Sequence, residues 1–302
     1  MRVVVLGAGS LGSLLAGALE RTDADVTLLG RESDHVRRVR ADGLRLTRPD
    51  GSEDAVPVDV ATDEGVTEDA DLLVVCVKSY DTADAMAGVA PHLDGADVLT
   101  LQNGLGNAET VADYVPRERV LAGTTTHGAV LEAPGHVRHA GRGDTTVGRY
   151  FAANDARVDA VADCLTGAGI ETTVADDPEA AVWTKVLVNA GINAATALAR
   201  VPNGALVDSE SGERVLRRAV TEGVAVARAE GVAVPEDAVE RTREVAERTA
   251  SNRSSMRQDV ERGRPTEVEA LNGALVRRGE SHGVETPVNE TLADLVRLAE
   301  EG

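Results

Sequence analysis

At 302 residues the chain has the length of two domains, and its 42% hydrophobic content supports a sizeable core in each. Thirty-one basic against fifty-one acidic side chains leave a formal charge of −20, a field that disfavours nucleic acid and anionic membranes as partners. Two cysteines, Cys76 in an apolar run and Cys164 in a predicted helix, exclude a disulfide framework, and no segment is apolar enough to span a bilayer.

The opening residues 1–6 run directly into a glycine motif without a cleavable signal, so a soluble cytoplasmic protein is expected. Residues 3–6 (VVVL) read as a buried strand, 10–20 as a helix, and 26–29 (VTLL), 72–77 (LLVVCV) and 98–101 (VLTL) as further strands. Strands apolar on both faces and spaced by helices imply a parallel, doubly wound sheet. Residues 120–149, rich in Gly, Thr and His, are expected to form antiparallel strands closing its edge. Beyond Asp176 the strand pattern stops, and long helical stretches such as 212–230 and 236–259 take over. The predicted fold is therefore α/β: a Rossmann dinucleotide-binding domain over 1–176, then an all-helical substrate domain over 177–302.

Between the first strand and first helix stands GAGSLG, comprising Gly7, Ala8, Gly9, Ser10, Leu11 and Gly12. In that context Gly7 permits a tight turn and Gly9 lets a pyrophosphate approach the backbone. Gly12 lets the helix pack on the strand while its N-terminal N–H groups face the phosphates. The second strand ends in Gly30-Arg31, where an NAD site usually carries an acid. A small residue followed by a planar cation suits a 2′-phosphate, which favours NADPH, although Glu32 leaves a ribose contact open. Lys78 and Asn103 follow the next two strands at the carboxyl edge, where ligands of open α/β sheets bind.

Lys78 and Lys185 are the only lysines beside twenty-nine arginines, and with five aromatics and abundant acids the composition leads one to expect a surface built for high salt, as in a halophilic protein. A lysine kept in such a background points to chemistry that a guanidinium cannot perform, namely surrender of a proton near neutral pH. Lys185, Asn189 and Asn193 recur at i, i+4 and i+8, so one helical face carries an ammonium and two amides. Asparagine is a poor helix former, and two in an apolar stretch ask for a polar ligand or a buried network. Ser254-Ser255 and Thr266-Glu267 supply further hydroxyls and a carboxylate. His136 and His139 form a pair that no Cys or carboxylate cluster completes into a metal site, and no serine sits on a glycine elbow as a hydrolase requires.

In order along nearly the whole chain, GAGSLG, VKS (77–79), QNG (102–104), KVLVNAGIN (185–193), VPNG (201–204), SSMRQD (254–259) and GRPTE (263–267) resemble the ketopantoate reductase family. The resemblance implies reduction of 2-dehydropantoate (ketopantoate) to pantoate with NADPH, in pantothenate and coenzyme A biosynthesis, by a Rossmann and a helical domain that close on the substrate. It implies Lys185 as general acid, with Glu267 beside it, and Asn189, Asn193, Asn203, Ser255 and Glu267 as substrate-binding positions. Arg31 and Lys78 fall where the family meets the phosphate end of NADPH, and Asn103 on the nicotinamide and substrate side. Arg200 before VPNG is a local departure. A homodimer is left open, as are two other readings: a reductase of another 2-oxo acid, and a non-catalytic dinucleotide sensor.

Overall fold

The computed structural model describes residues 1–301. The chain forms two compact units, one from Met1–Gln102 and Asn107–Pro178, the other from Asn103–Gly106 and everything from Glu179 on.

In the first unit β1 (Arg2–Leu6), α1 (Ser10–Leu19), β2 (Asp25–Leu29) and α2 (Asp34–Asp42) alternate. The short strands β3 (Leu44–Thr47), β4 (Glu53–Val56) and β5 (Asp59–Ala61) then precede β6 (Leu72–Val75), α3 (Thr82–Val89), β7 (Asp97–Thr100) and α4 (Asn107–Ala112). β8 (Val120–Thr125), β9 (Gly128–Ala133), β10 (His136–Gly141), β11 (Thr145–Arg149), α5 (Ala156–Gly167) and β12 (Thr172–Val174) complete the unit. The larger sheet runs β12-β11-β8-β7-β6-β1-β2-β5, parallel throughout except at β8–β11. Every residue of β6 and β7 is buried, as a sheet covered on both faces requires. Register is the feature that matters for function: Leu6 pairs with Leu29 and Val75, and Val75 with Thr100, so four strands end at one edge.

Residues 120–149 depart from expectation. Only β8 and β11 join the large sheet, whereas β9 and β10 build a second sheet in the order β4-β3-β10-β9. The reason is non-local pairing: β3 and β4 are four residues each, too short to announce themselves, and β3 finds its partner in β10. With a sheet on either side, eight of the ten residues of α1 are buried, so the helix is apolar nearly all round. Leu14, Leu15 and Leu19 are each at most 1% exposed, and burying each contributes about 1.5–3 kcal/mol. At the antiparallel edge the buried Arg149 donates to Asp97 at 2.6 Å and to Asp155 at 3.0 Å, a paired charge that leaves no carboxylate stranded in the sheet.

The second unit contains α6 (Pro178–Ala199), α7 (Glu210–Ala229), α8 (Ala238–Arg248), α9 (Ser255–Glu261), α10 (Asn272–His282) and α11 (Pro287–Glu300). Trp183, Leu187 and Ala190 of α6 are fully buried. Asn272 donates to Ala190 O at 3.1 Å and to Asn289 Oδ1 at 2.9 Å, and Asn289 donates to Ala219 O at 2.9 Å, so two buried amides join four helices. The continuous helix expected over 236–259 is broken into α8 and α9. Thr249 Oγ1 donates back to Val245 O at 2.7 Å, the Asn203 N–H donates to Asn252 O, and Ser254 caps α9 by accepting from the Arg257 N–H. Side-chain and tertiary partners thus satisfy the groups that a continuing helix would have paired. The Asn103–Gly106 segment joins this unit through a 2.8 Å bond from the Leu105 N–H to Ala270 O. Gly104, at φ +100, packs so closely on Ala270 that a Cβ would lie 2.3 Å from that methyl group.

Candidate active site

The carboxyl edge of the large sheet gathers the loops that begin at Gly7, Gly30, Cys76 and Leu101. Gly7 takes φ +117, and a Cβ on Gly12 would lie 2.0 Å from Gly7 O, so neither position admits a side chain. Space in front of Gly9 is open, with nothing within 4 Å of a Cβ. Gly9 caps α1 without a side-chain bond, and the first turn carries no acid, so the positive end of the helix is uncompensated. That is the cradle a pyrophosphate needs. A Cβ on Gly30 would lie 2.6 Å from the Ala8 Cβ, which excludes an aspartate or glutamate there without movement. Arg31 follows with its side chain 90% exposed and Nη2 3.3 Å from Asp81 Oδ2. Glu32 is engaged by Arg40 at 3.2 Å and Arg37 at 3.6 Å. Half-buried Lys78 heads the short turn Ser79–Asp81 after β6.

In the helical unit α6 carries Lys185, Asn189 and Asn193 on one face, the first two half-buried and Asn193 7% exposed. Lys185 keeps some accessible surface yet is crowded enough that burial lowers its pKa to about 8, against the opposing pull of the Glu267 carboxylate. Glu267 is 9% exposed, and its Oε2 accepts from Asn103 Nδ2 at 3.4 Å. Residues 103, 185 and 267, far apart in sequence, therefore share one electrostatic neighbourhood.

The other expected positions fall differently. Ser255 is exposed at the start of α9, while buried Ser254 does the capping and lies 2.8 Å from Thr196 Oγ1 of α6. Asn203 donates through Nδ2 to Thr249 Oγ1 at 2.9 Å, and its buried Oδ1 has no protein partner. The motif reading includes Gln102 only within QNG, without a role, and passes over Thr82 and Asn107; all three are buried, and Gln102 and Asn107 both hydrogen-bond to Thr82, close to Lys78 in sequence or structure. The available signal was a glutamine directly after an apolar strand. His139 lies 2.9 Å from His127 and His136 2.8 Å from Thr47. Among the described residues no group of three or more His, Cys, Asp or Glu could hold a metal, and no helix is long and apolar enough to cross a membrane. Cys76 lies against the glycine turn, and burial pushes its thiol up to about 12, so it is no nucleophile near neutral pH.

Residues 3–151 match the family model for ketopantoate reductase PanE/ApbA, and residues 177–300 match the model for its C-terminal part. A 2-dehydropantoate 2-reductase of Halobacterium salinarum is 62% identical over 300 residues, covering 99% of each chain. Among solved structures, a PanE/ApbA family ketopantoate reductase from Ralstonia eutropha has a TM-score of 0.93 at 37% identity, covering 100% of this chain and 99% of that one. The ternary structure of D-mandelate dehydrogenase with NADH and anilino(oxo)acetate has a TM-score of 0.94 at 25% identity, with the same coverage.

Proposed function

The chain belongs to the ketopantoate reductase family of oxidoreductases, and from that premise we propose that it reduces 2-dehydropantoate to pantoate with NADPH, a step toward pantothenate and coenzyme A. The observation that carries this reading is Lys185: an ammonium with its pKa lowered to about 8, beside a carboxylate, on a helix face with two amides. Residues 1–176 form the dinucleotide-binding domain in this reading, and 177–302 the substrate domain.

The open space at Gly9 and the uncapped, acid-free start of α1 fit the pyrophosphate of a dinucleotide. Exclusion of an acid at position 30, the cation at Arg31 and the engagement of Glu32 by Arg37 and Arg40 together favour a 2′-phosphate over a bare ribose. Lys78 would meet the same phosphate end, and Asn103 the nicotinamide side. When bound, NADPH supplies the hydride. As negative charge builds on the substrate's keto oxygen, the Lys185 ammonium stabilises it and then donates a proton to it from Nζ. Glu267 holds that ammonium in its charged form and accepts a hydrogen bond from the substrate hydroxyl. Asn189, Asn193, Asn203 and Ser255 bind the carboxylate and hydroxyl with neutral groups, which do not trap an anionic product.

The likeness to D-mandelate dehydrogenase gives weight to a second reading, a reductase of another 2-oxo acid. NADPH oxidation with 2-dehydropantoate and with 2-oxoisovalerate, which lacks the hydroxymethyl group, separates the two. A site built to bond that hydroxyl should reject the analogue by up to about 10⁴-fold. Equal reduction of both would favour the broader reductase, and cofactor binding without turnover on any 2-oxo acid would leave a sensor.

A further inference from the structure

We propose that Thr82, acting with Gln102, is a positioning residue for the cofactor-binding edge: one buried hydroxyl ties the loop that carries Lys78 to both flanks of the Asn103–Gly106 segment. The proposal deepens the reading above and rests on its placement of Lys78 at the cofactor.

Thr82 opens α3 and is 1% exposed. Its Oγ1 accepts from Gln102 Nε2 at 2.7 Å, and its own hydrogen reaches the Ser79 carbonyl at 3.0 Å and Asn107 Oδ1 at 3.3 Å. Gln102, 8% exposed, donates its other Nε2 hydrogen to Val77 O at 2.8 Å and accepts from Thr100 Oγ1 at 2.9 Å. The Val77 carbonyl fixes which end of that amide is nitrogen, because a carbonyl can only accept. Asn107 Nδ2 donates to Ser79 Oγ at 3.3 Å.

Two consequences follow from these bonds. Lys78 stands between the two carbonyls, Val77 and Ser79, that this network grips, so its backbone cannot shift without breaking a bond at one side. Gln102 and Asn107 are the residues immediately before and after Asn103–Gly106, and both meet the same Thr82 oxygen, which closes the base of that excursion. Gly104 and Gly106 within it take φ +100 and +91, the left-handed region that side-chain-bearing residues rarely adopt, so the excursion turns sharply between those two flanks. Burying four polar side chains (Thr82, Thr100, Gln102 and Asn107) costs free energy unless each is bonded. They are bonded, and they sit at the carboxyl ends of β6 and β7, where an open sheet binds its ligand, instead of within the sheet, where packing alone would serve.

The test titrates NADPH, followed by its own fluorescence, against wild type, Thr82→Val, Thr82→Ser and Lys78→Ala, with kcat, KM and a melting curve for each. Valine keeps the shape and loses the hydroxyl, so Kd for NADPH should rise about tenfold, the usual scale of a lost buried hydrogen bond. KM for 2-dehydropantoate should move far less, and serine should restore NADPH affinity to within about twofold of wild type. A folded Thr82→Val that binds NADPH as wild type does, or a Thr82→Ser as impaired as valine, overturns the proposal. If Thr82→Val melts below the assay temperature, Gln102→Met cuts the same linkage with the hydroxyl in place, and unchanged NADPH affinity there overturns it equally. Lys78→Ala with wild-type affinity would instead withdraw the placement of Lys78 at the cofactor, and the proposal with it.

Discussion

Replacing Glu267 with Gln should move the alkaline limb of the pH–rate profile to lower pH. Burial holds the Lys185 pKa at about 8, and the Glu267 carboxylate resists that fall. The protonated amine is the acid, so kcat/KM for reduction should be level on the acid side and decline as pH rises through about 8. Glutamine keeps the size of the side chain near Asn103 but removes its charge. A close opposite charge sustains a pKa by about 1–3 units, so the midpoint in the variant should lie at about 7 or below. At neutral pH the wild-type amine is then about nine-tenths protonated and the variant's at most about half, a loss of about twofold before any effect on substrate binding. NADPH oxidation at limiting keto acid, from about pH 6 to about pH 10, reads the midpoint independently of the height of the profile. Lys185→Arg is the companion measurement: it stays charged throughout, should show no limb in that range, and should lose turnover by roughly 10²–10⁴-fold. A Glu267→Gln limb that coincides with wild type, or near-normal turnover in Lys185→Arg, would refute the reasoning. The stability sign follows from the same shift. With a folded pKa of about 8 against an ordinary 10.5, the unfolded chain binds more protons between those values. The Lys185 penalty is therefore complete below about 8 and relieved as pH climbs toward 10.5.

Arg31→Ala should weaken NADPH by roughly 1–3 kcal/mol while leaving NADH little changed, and equal losses in a binding titration would remove Arg31 from the phosphate site. With a formal charge of −20, the melting temperature should climb between about 0.1 and about 2 M KCl as repulsion is screened, and a flat response would argue against a surface adapted to salt. Arg200 is the only non-glycine residue with positive φ among those described, at 55°, and it ends α6 where the Val201 N–H bonds back to Thr196 O. Arg200→Gly should therefore stabilise the fold by roughly 0.5–1 kcal/mol, read as a raised denaturation midpoint. A lowered midpoint would mean that the arginine side chain contributes more than its backbone costs.

Local pattern reaches as far as local forces do. The glycine turn between β1 and α1, the doubly apolar strands and the common face of Lys185, Asn189 and Asn193 are legible in the sequence, because backbone geometry sets each of them within a few residues. The second sheet is not legible, since β3 depends on β10, some ninety positions later, and four residues of alternation carry too little signal alone. The break between α8 and α9 falls in residues 249–254, a stretch rich in the poor helix formers Thr, Ser and Asn, but the bond from the Asn203 N–H that helps to fix it there comes from a distant part of the chain. The same holds at the site. Glu267 reaches Asn103 across 164 positions, and Thr82 reaches Gln102 and Asn107 across 20 and 25. A lysine's identity is written in the chain, but its pKa is a sum over whatever atoms surround it. Desolvation, through-space charge and hydrogen-bond partnership depend on which distant residues folding brings into reach, and periodicity along one dimension carries no record of them.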